Sequence, residues 1–409
     1  MKTPLKLLVS ISVIALLICG HTPAAEKAPL QVFILAGQSN MQGHAKVTTF
    51  EHIGMDPATK PMLAEMLGAD GKPKVCTRVW ISSIGCGEEA KTEQLGRLTA
   101  GFGATPQKIG PEFTFGIYME KLADAPVLLI KTAWGGKSLH TDFRPPSAGP
   151  YVFNDAQLAA FDKQGKDVAA IKGEKEKATG VSYRLMVEHV KRVLGDLKRV
   201  VPEYDAAQGY ELAGLAWFQG WNDMVDGATY PQRDQPGGYD AYSAALAHFI
   251  RDVRRDLNAP ELPFVIGVLG VGGPVADYGP AEQRYKTTHQ NFRDAMAAPA
   301  LLPEFKGNVA TVLAEKYWDR ELKAARAKDN EIKQHATKLA KEANFKPAEE
   351  KTALEKRRNE ELTERERLVL EKGISNAEFH YLGSAKILGG VGKGLAEALA
   401  ELKLPRLRN

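Results

Sequence analysis

The sequence predicts a three-layer α/β/α protein built on a central five-stranded parallel sheet, and three observations point to that class. Short apolar runs rich in Val, Ile, Leu and Phe recur along the chain and read as strands buried on both faces. Stretches with helical spacing separate them, the alternation that right-handed crossovers between parallel strands produce. Several runs stop at glycine, the turn signal that ends a strand.

The first run, Gln31-Val32-Phe33-Ile34-Leu35-Ala36, leads at once into Gly37-Gln38-Ser39-Asn40-Met41. Open α/β sheets gather their sites at the carboxyl ends of strands, and a tight glycine turn presents a serine hydroxyl beside free backbone N–H groups. Ser39 is therefore a candidate nucleophile: an isolated Gly-x-Ser is more often a helix cap, but the motifs further down the chain lift this one. A second strand is expected over residues 78–84, a loop over 96–110 and a helix over 112–123. The third strand, Pro126-Val127-Leu128-Leu129-Ile130-Lys131, reads as apolar throughout. It is followed by Gly135-Gly136, a pair that lets backbone approach a ligand and leaves N–H groups pointing outward, or that simply makes a turn.

Residues 155–179 are lysine-rich, and a helix with one solvated face is expected over 182–200. The strand Leu212-Ala213-Gly214-Leu215-Ala216-Trp217-Phe218 ends in Gln219-Gly220-Trp221-Asn222-Asp223, so side-chain amides meet glycine at another strand end. Residues 226–241 read as an exposed loop, followed by a helix over 242–257, a strand over 263–269, a helix over 281–298 and a last strand over 308–313. From 320 to 372 the chain is almost wholly Ala, Glu, Lys, Arg, Leu and Asn, interrupted at Phe345-Lys346-Pro347. That composition favours solvated helices, and the proline predicts a projecting hairpin of two. Apolar positions are too sparse for a coiled-coil seam; the insertion reads as solvated, with docking of a protein partner, itself unknown, as the rival. His380, just before a final helix that runs to about residue 402, is a candidate general base.

Composition narrows the function classes. The 409 residues are 44% hydrophobic and 25% charged, with a formal net charge of only +4, and no basic patch interleaved with aromatics suggests nucleic acid. Residues 1–25 have a charged start, an apolar core and a small-residue end at Ala24-Ala25, the pattern of a cleaved secretory leader. Export to the periplasm or the exterior is thus expected; a lipid anchor on Cys19 is the rival, disfavoured by the bulky Ile18 before it. No later stretch is long and apolar enough to span a membrane. Cys76 and Cys86 either close a disulfide worth about 2–3 kcal/mol or remain buried thiols.

Gly37-Gln38-Ser39-Asn40-Met41, Gly135-Gly136, Gln219-Gly220-Trp221-Asn222-Asp223 and the late His380 together resemble the SGNH/GDSL hydrolase superfamily, and within it the sialate O-acetylesterase and acetyl-xylan esterase branch. The resemblance covers residues 31–402, leaving out the lysine-rich stretch and the charged insertion. It implies a flavodoxin-like hydrolase domain over 26–319 and 373–405, interrupted by the insertion at 320–372. It also implies a serine esterase that removes acetyl groups from sialate or polysaccharide through an acetyl-enzyme on Ser39, with His380 moving the proton. An ester carbonyl under attack develops a negative oxygen, so such a site needs preorganised donors. Those implied are the N–H of Ser39, an N–H of Gly135 or Gly136, and the amide of Gln219 or of Asn222. No metal or organic cofactor is implied.

Two positions depart from the family pattern. The aspartate usually found three residues before the histidine is Ala377 here, and the glutamate often found after Gln-Gly is Trp221. The orienting acid is then Glu378 or Asp223; otherwise a backbone carbonyl serves, or activity is low. A catalytically impaired carbohydrate-binding or scaffold protein on the same fold is the alternative these departures raise.

Overall fold

An unbroken apolar run is stable only where both faces are covered, and β1 (Leu30–Gly37) is buried along its whole length at the middle of the sheet. The computed structural model describes residues 28–86 and 91–403. Its main sheet has seven strands: β1, β2 (Val79–Ile84), β3 (Glu93–Arg97), β4 (Val127–Ala133), β5 (Tyr210–Phe218), β6 (Phe264–Val268) and β7 (Val309–Leu313). They lie in the order β3-β2-β4-β1-β5-β6-β7. Every pairing is parallel except that of β2 with β3.

The three-layer class is as the sequence predicts, but the strand count is not five. Six strands fall on the apolar runs. The seventh, β3, is the half-exposed antiparallel edge Glu93-Gln94-Leu95-Gly96-Arg97, which lacks an apolar signature because an edge strand needs none. Its last two residues belong to the stretch expected to be loop.

The register of the central strands sets the site. Gly37 pairs with Ala133 on one side and with Phe218 on the other, so β1, β4 and β5 end level with one another. Gly37 also admits no side chain: a Cβ there would lie 2.2 Å from the Phe218 carbonyl oxygen. The turn that follows opens α1 (Ser39–Gln42). Beyond it lie α2 (Pro111–Leu122), α3 (Val181–Gly195), α4 (Asp240–Asp256) and α5 (Lys286–Ala297). α3 stops five residues before the expected end, and a 3-10 turn, Leu197–Arg199, takes its place.

The charged insertion forms three helices rather than a hairpin of two: α6 (Arg320–Glu342), α7 (Pro347–Glu361) and α8 (Glu364–Gly373). The proline opens α7 as expected. The second break comes at Thr363, whose hydroxyl and the Glu366 carboxylate form a capping box. α6 is not merely solvated, since it buries Leu322, Ala325, Ile332, Ala336 and Ala340. At its base Asp319 caps α6 and pairs with Lys386 at 2.6 Å, tying the insertion to the last helix, α9 (Ala385–Lys403).

Cys76 and Cys86 are both free and buried, and burial pushes the Cys76 thiol up to about 12. The leader and Cys19 lie outside the described residues. Among those described, no helix is long and apolar enough to cross a membrane.

The β4 run contains one fully buried charge. Lys131 Nζ donates to the carbonyls of Gln42 (2.8 Å) and Phe102 (2.7 Å) and to Glu112 Oε2 (2.8 Å), while Glu112 Oε1 accepts the Gly110 N–H at 2.9 Å. All three ammonium protons are used, the condition under which a charge is tolerated away from water. Lys131→Met strands the Glu112 carboxylate and is expected to destabilise the protein by about 3–5 kcal/mol in chemical denaturation, with Lys131→Met/Glu112→Gln recovering part of the loss.

Candidate active site

The turn that carries Ser39, the candidate nucleophile, is held by the side chain before the serine. Gln38 Oε1 accepts from the Asn40 N–H and, at 3.2 Å, from Ser39 Oγ. The Gln38 carbonyl accepts from Gln42 N–H (2.8 Å) and the Ser39 carbonyl from Gly43 N–H (2.9 Å). Gly43 is left-handed, with φ of 93°, and a Cβ there would lie 2.1 Å from Gly110 Cα. Ser39, as the first residue of α1, has an N–H without an intrahelical acceptor. The Asn40 side chain is 1% exposed and neither end of its amide has a partner among the described residues. Few buried polar groups in a folded protein are left in that state, which sets the Asn40 amide apart from its neighbours.

The second segment leaves β4 beside this turn, with the Trp134 N–H on the Gly37 carbonyl at 3.3 Å. Gly135 and Gly136 are exposed, and Gly136 is left-handed at φ of 74°. A carboxylate from the third segment pins the chain that follows. Asp223 accepts the backbone N–H groups of Leu139 (2.8 Å) and His140 (3.0 Å), the Gln219 amide (2.6 Å) and the Tyr230 hydroxyl (3.1 Å).

This network changes two expectations. Asp223 is fully engaged in fixing the Gly135-Gly136 loop and is not the partner of His380. Gln219 has spent both amide protons, one on Asp223 and one on the Lys137 carbonyl at 3.0 Å. Of the two competing amides, Asn222 is the one that makes no hydrogen bond among the described residues.

His380 lies in the 3-10 segment Glu378–Gly383, which packs against α1. The segment holds Tyr381 at φ of 54°, Leu382 at 60° and Gly383 at 58°. Left-handed conformations at bulky residues cost about 1–3 kcal/mol each and persist where surrounding contacts impose them. Here the buried Tyr381 hydroxyl accepts the Gly270 N–H at 2.9 Å. Ser375 Oγ donates to the Gly383 carbonyl at 2.7 Å and accepts the Lys46 N–H at 3.1 Å, fastening this turn to the chain just after the nucleophile.

The group that holds the imidazole is Asn376, not an acid. His380 Nδ1 lies 2.9 Å from Asn376 Oδ1, and that oxygen also accepts the Ala377 N–H at 2.7 Å. A backbone N–H can only donate, so it fixes which end of the amide is oxygen. The proton between the two side chains therefore sits on Nδ1 and leaves Nε2 with a free lone pair. Glu378, the other expected acid, turns away and pairs with Arg326 at 3.4 Å.

On its face His380 stacks on His44, with ring centroids 3.9 Å apart and planes 1° from parallel. Lys108 Nζ is 3.3 Å from His44 Nδ1. Burial first, then the Lys108 charge, lowers His380 to about 4; burial and the neighbouring His380 lower His44 to about 3. Both rings are neutral at ordinary pH. Sequence reading singled out neither Asn376 nor His44 for a role, since a lone polar residue carries no signal until its partner is known.

Comparison with known proteins follows this geometry. The family model described as carbohydrate esterase, sialic acid-specific acetylesterase, matches residues 29–298. No curated protein matches. Among solved structures, the chain is similar to the Arabidopsis thaliana protein AT4G34215, at 17% identity and a TM-score of 0.38, covering 70% of this chain and 86% of that one. It is also similar to XAC1771, a carbohydrate acetylesterase from Xanthomonas citri, at 14% identity and a TM-score of 0.36. That match covers 69% of this chain and 49% of the other, so the chain spans about half the length of XAC1771.

Asp223→Ala would leave two backbone N–H groups, an amide and a phenol without their acceptor. The expected loss is on the order of 3–5 kcal/mol in denaturant titrations, beyond what a surface substitution costs.

Proposed function

Because the chain belongs to the sialic acid-specific acetylesterase family of carbohydrate esterases, we propose that it is an exported serine esterase that removes O-acetyl groups from carbohydrate through an acetyl-enzyme on Ser39. The observation that carries this reading is the common end of β1, β4 and β5. Their register aligns Gly37, Ala133 and Phe218, so the serine turn, the Gly135-Gly136 loop and the Gln219-to-Asp223 segment leave the sheet side by side.

In this reading Ser39 Oγ attacks the acetyl carbonyl as its proton passes to His380 Nε2. The ring is held for that task by Asn376 on Nδ1 and by His44 on its face. The carbonyl oxygen becomes an oxyanion against the Ser39 N–H, an N–H of Gly135 or Gly136, and the Asn222 amide, whose protons, unlike those of Gln219, are not committed to other acceptors. Collapse of the intermediate breaks the bond to the sugar oxygen, which takes the proton from His380 and departs as a hydroxyl. Water then gives a proton to His380 and adds to the acetyl group; acetate leaves and the proton returns to Ser39 Oγ. Gln219 and Asp223 act one step back, as the braces of the oxyanion loop.

A second reading is a sugar-binding protein with impaired catalysis. It is favoured by the Ser39 hydroxyl pointing to Gln38 Oε1 and by a neutral group where an acid would strengthen the base.

Acetate release from p-nitrophenyl acetate and an acetylated oligosaccharide separates the two. The esterase reading expects turnover that Ser39→Ala and His380→Ala abolish; correctly folded wild type that releases no acetate from either substrate contradicts it. Asn376→Ala is expected to lower kcat by roughly 10²- to 10⁴-fold. The pH profile follows from the lowered His380. Because its neutral form is the base, kcat/KM is expected to hold down to the region of pH 4 and fall below it, rather than near the ordinary imidazole value of 6.5. Lys108→Met, which removes one of the two lowering causes, is expected to move that acid limb upward.

A further inference from the structure

Two aromatic rings from distant parts of the chain meet beside His380. Trp221 enters just after β5. Its backbone is fixed by Gly220, where a Cβ would lie 2.7 Å from the Phe292 ring and 2.9 Å from Leu269. Phe379 immediately precedes His380 in the strained segment that the buried Tyr381 anchors. The two rings stack with centroids 5.7 Å apart and planes 29° from parallel. Phe379 in turn meets the His380 imidazole at 4.4 Å and 64°. With the His44 stack, ring-to-ring contacts run from His44 through His380 and Phe379 to Trp221.

Phe379 nonetheless remains 40% exposed. Its surroundings are polar: Asn222 follows Trp221 directly, and Glu378 precedes Phe379 with Arg326 of α6 at 3.4 Å. A stacked aromatic pair with Phe379 open to solvent and polar groups at its edge complements a pyranose ring, which has apolar C–H faces and a rim of hydroxyls. Aromatic rings supply large apolar contact with little loss of conformational freedom. Orienting polar groups around such a surface are the usual make-up of a small-ligand site.

We propose that Trp221 and Phe379 form the glycan subsite, a stacking platform for the sugar ring that carries the acetyl group. Direct contact between Phe379 and His380 puts that ring next to the base, so the platform selects the sugar while the strand-end loops receive the acetyl carbonyl. The insertion borders the same subsite through Arg326. This inference rests on the esterase reading for the identity of the ligand but makes its own claim about binding.

The test has a kinetic and a binding arm, both on the full chain. For wild type, Trp221→Ala, Phe379→Ala and Trp221→Phe, kcat/KM is measured on p-nitrophenyl acetate, an acetylated xylo-oligosaccharide and a 9-O-acetylated sialic acid glycoside. The ratio of the better glycan ester to p-nitrophenyl acetate should fall about tenfold or more in either alanine variant, chiefly through KM, and be largely restored in Trp221→Phe. In an active wild type, an unchanged ratio overturns the platform, as does a preference for neither glycan ester over p-nitrophenyl acetate. In the binding arm, Ser39→Ala protein is titrated with the same two glycan esters and tryptophan fluorescence is followed. Saturable binding weakened about tenfold by adding Phe379→Ala supports the platform even if wild type releases no acetate, the result that would sink the esterase reading alone. Equal affinity with and without Phe379, or no binding of either glycan, overturns the platform.

Discussion

The Lys131 ammonium, out of reach of water on β4, joins the three segments that meet beside the Ser39 turn. Its acceptors are the last carbonyl of α1, the Phe102 carbonyl of the loop before α2, and the Glu112 carboxylate at the start of α2. A buried charge must have all of its protons accepted, and each acceptor here comes from a different stretch of chain. Moving any one of them would leave a charge or a carbonyl unpaired, so the serine turn has a single low-energy position relative to the sheet. A helix of four residues cannot hold such a position by itself. The Ser39 turn is tied to the sheet through a cation whose three protons are all accepted.

A neutral group in the orienting position has a comparable logic. A carboxylate would stabilise the imidazolium that forms during attack, but it would need partners of its own in a half-buried turn. Asn376 supplies direction without charge. An asparagine in this role fails when its amide turns and donates to the ring, forcing the wrong tautomer. The Ala377 N–H prevents that turn by occupying the oxygen. The strained backbone at Tyr381 and Leu382 curls the segment so that the residue four before His380 reaches its ring. His44 then limits rotation from the other face. Burial and the Lys108 charge lower the ring to about 4, so above that pH it is neutral and its Nε2 is free to accept a proton.

The apolar runs made six strands of the sheet legible, because burial on both faces leaves an unmistakable composition. β3 was hidden by the same rule: an edge strand of Glu, Gln and Arg looks like loop. Lys131 passed unnoticed inside a run read as apolar, since sequence does not show which acceptors will surround a buried charge. The three strand-end motifs were readable for a topological reason, in that parallel strands place such ends on one side of the sheet. Asn376 and His44 were not, because their roles depend on a turn that Phe-His-Tyr-Leu does not announce; no glycine marks the left-handed positions at 381 and 382. Expecting an acid drew attention to Glu378 and Asp223, which the fold spends on Arg326 and on the oxyanion loop.

In the proposed mechanism Ser39 is the activated nucleophile and His380 the base that activates it. Labelling with a fluorophosphonate followed by peptide mapping in a mass spectrometer tests it most directly, since such reagents form a stable bond only with a serine made nucleophilic by its surroundings. The account predicts a single adduct on the peptide containing Ser39, absent in Ser39→Ala and formed far more slowly in His380→Ala. Folded wild type that stays unlabelled, or that is labelled at another residue, would contradict it.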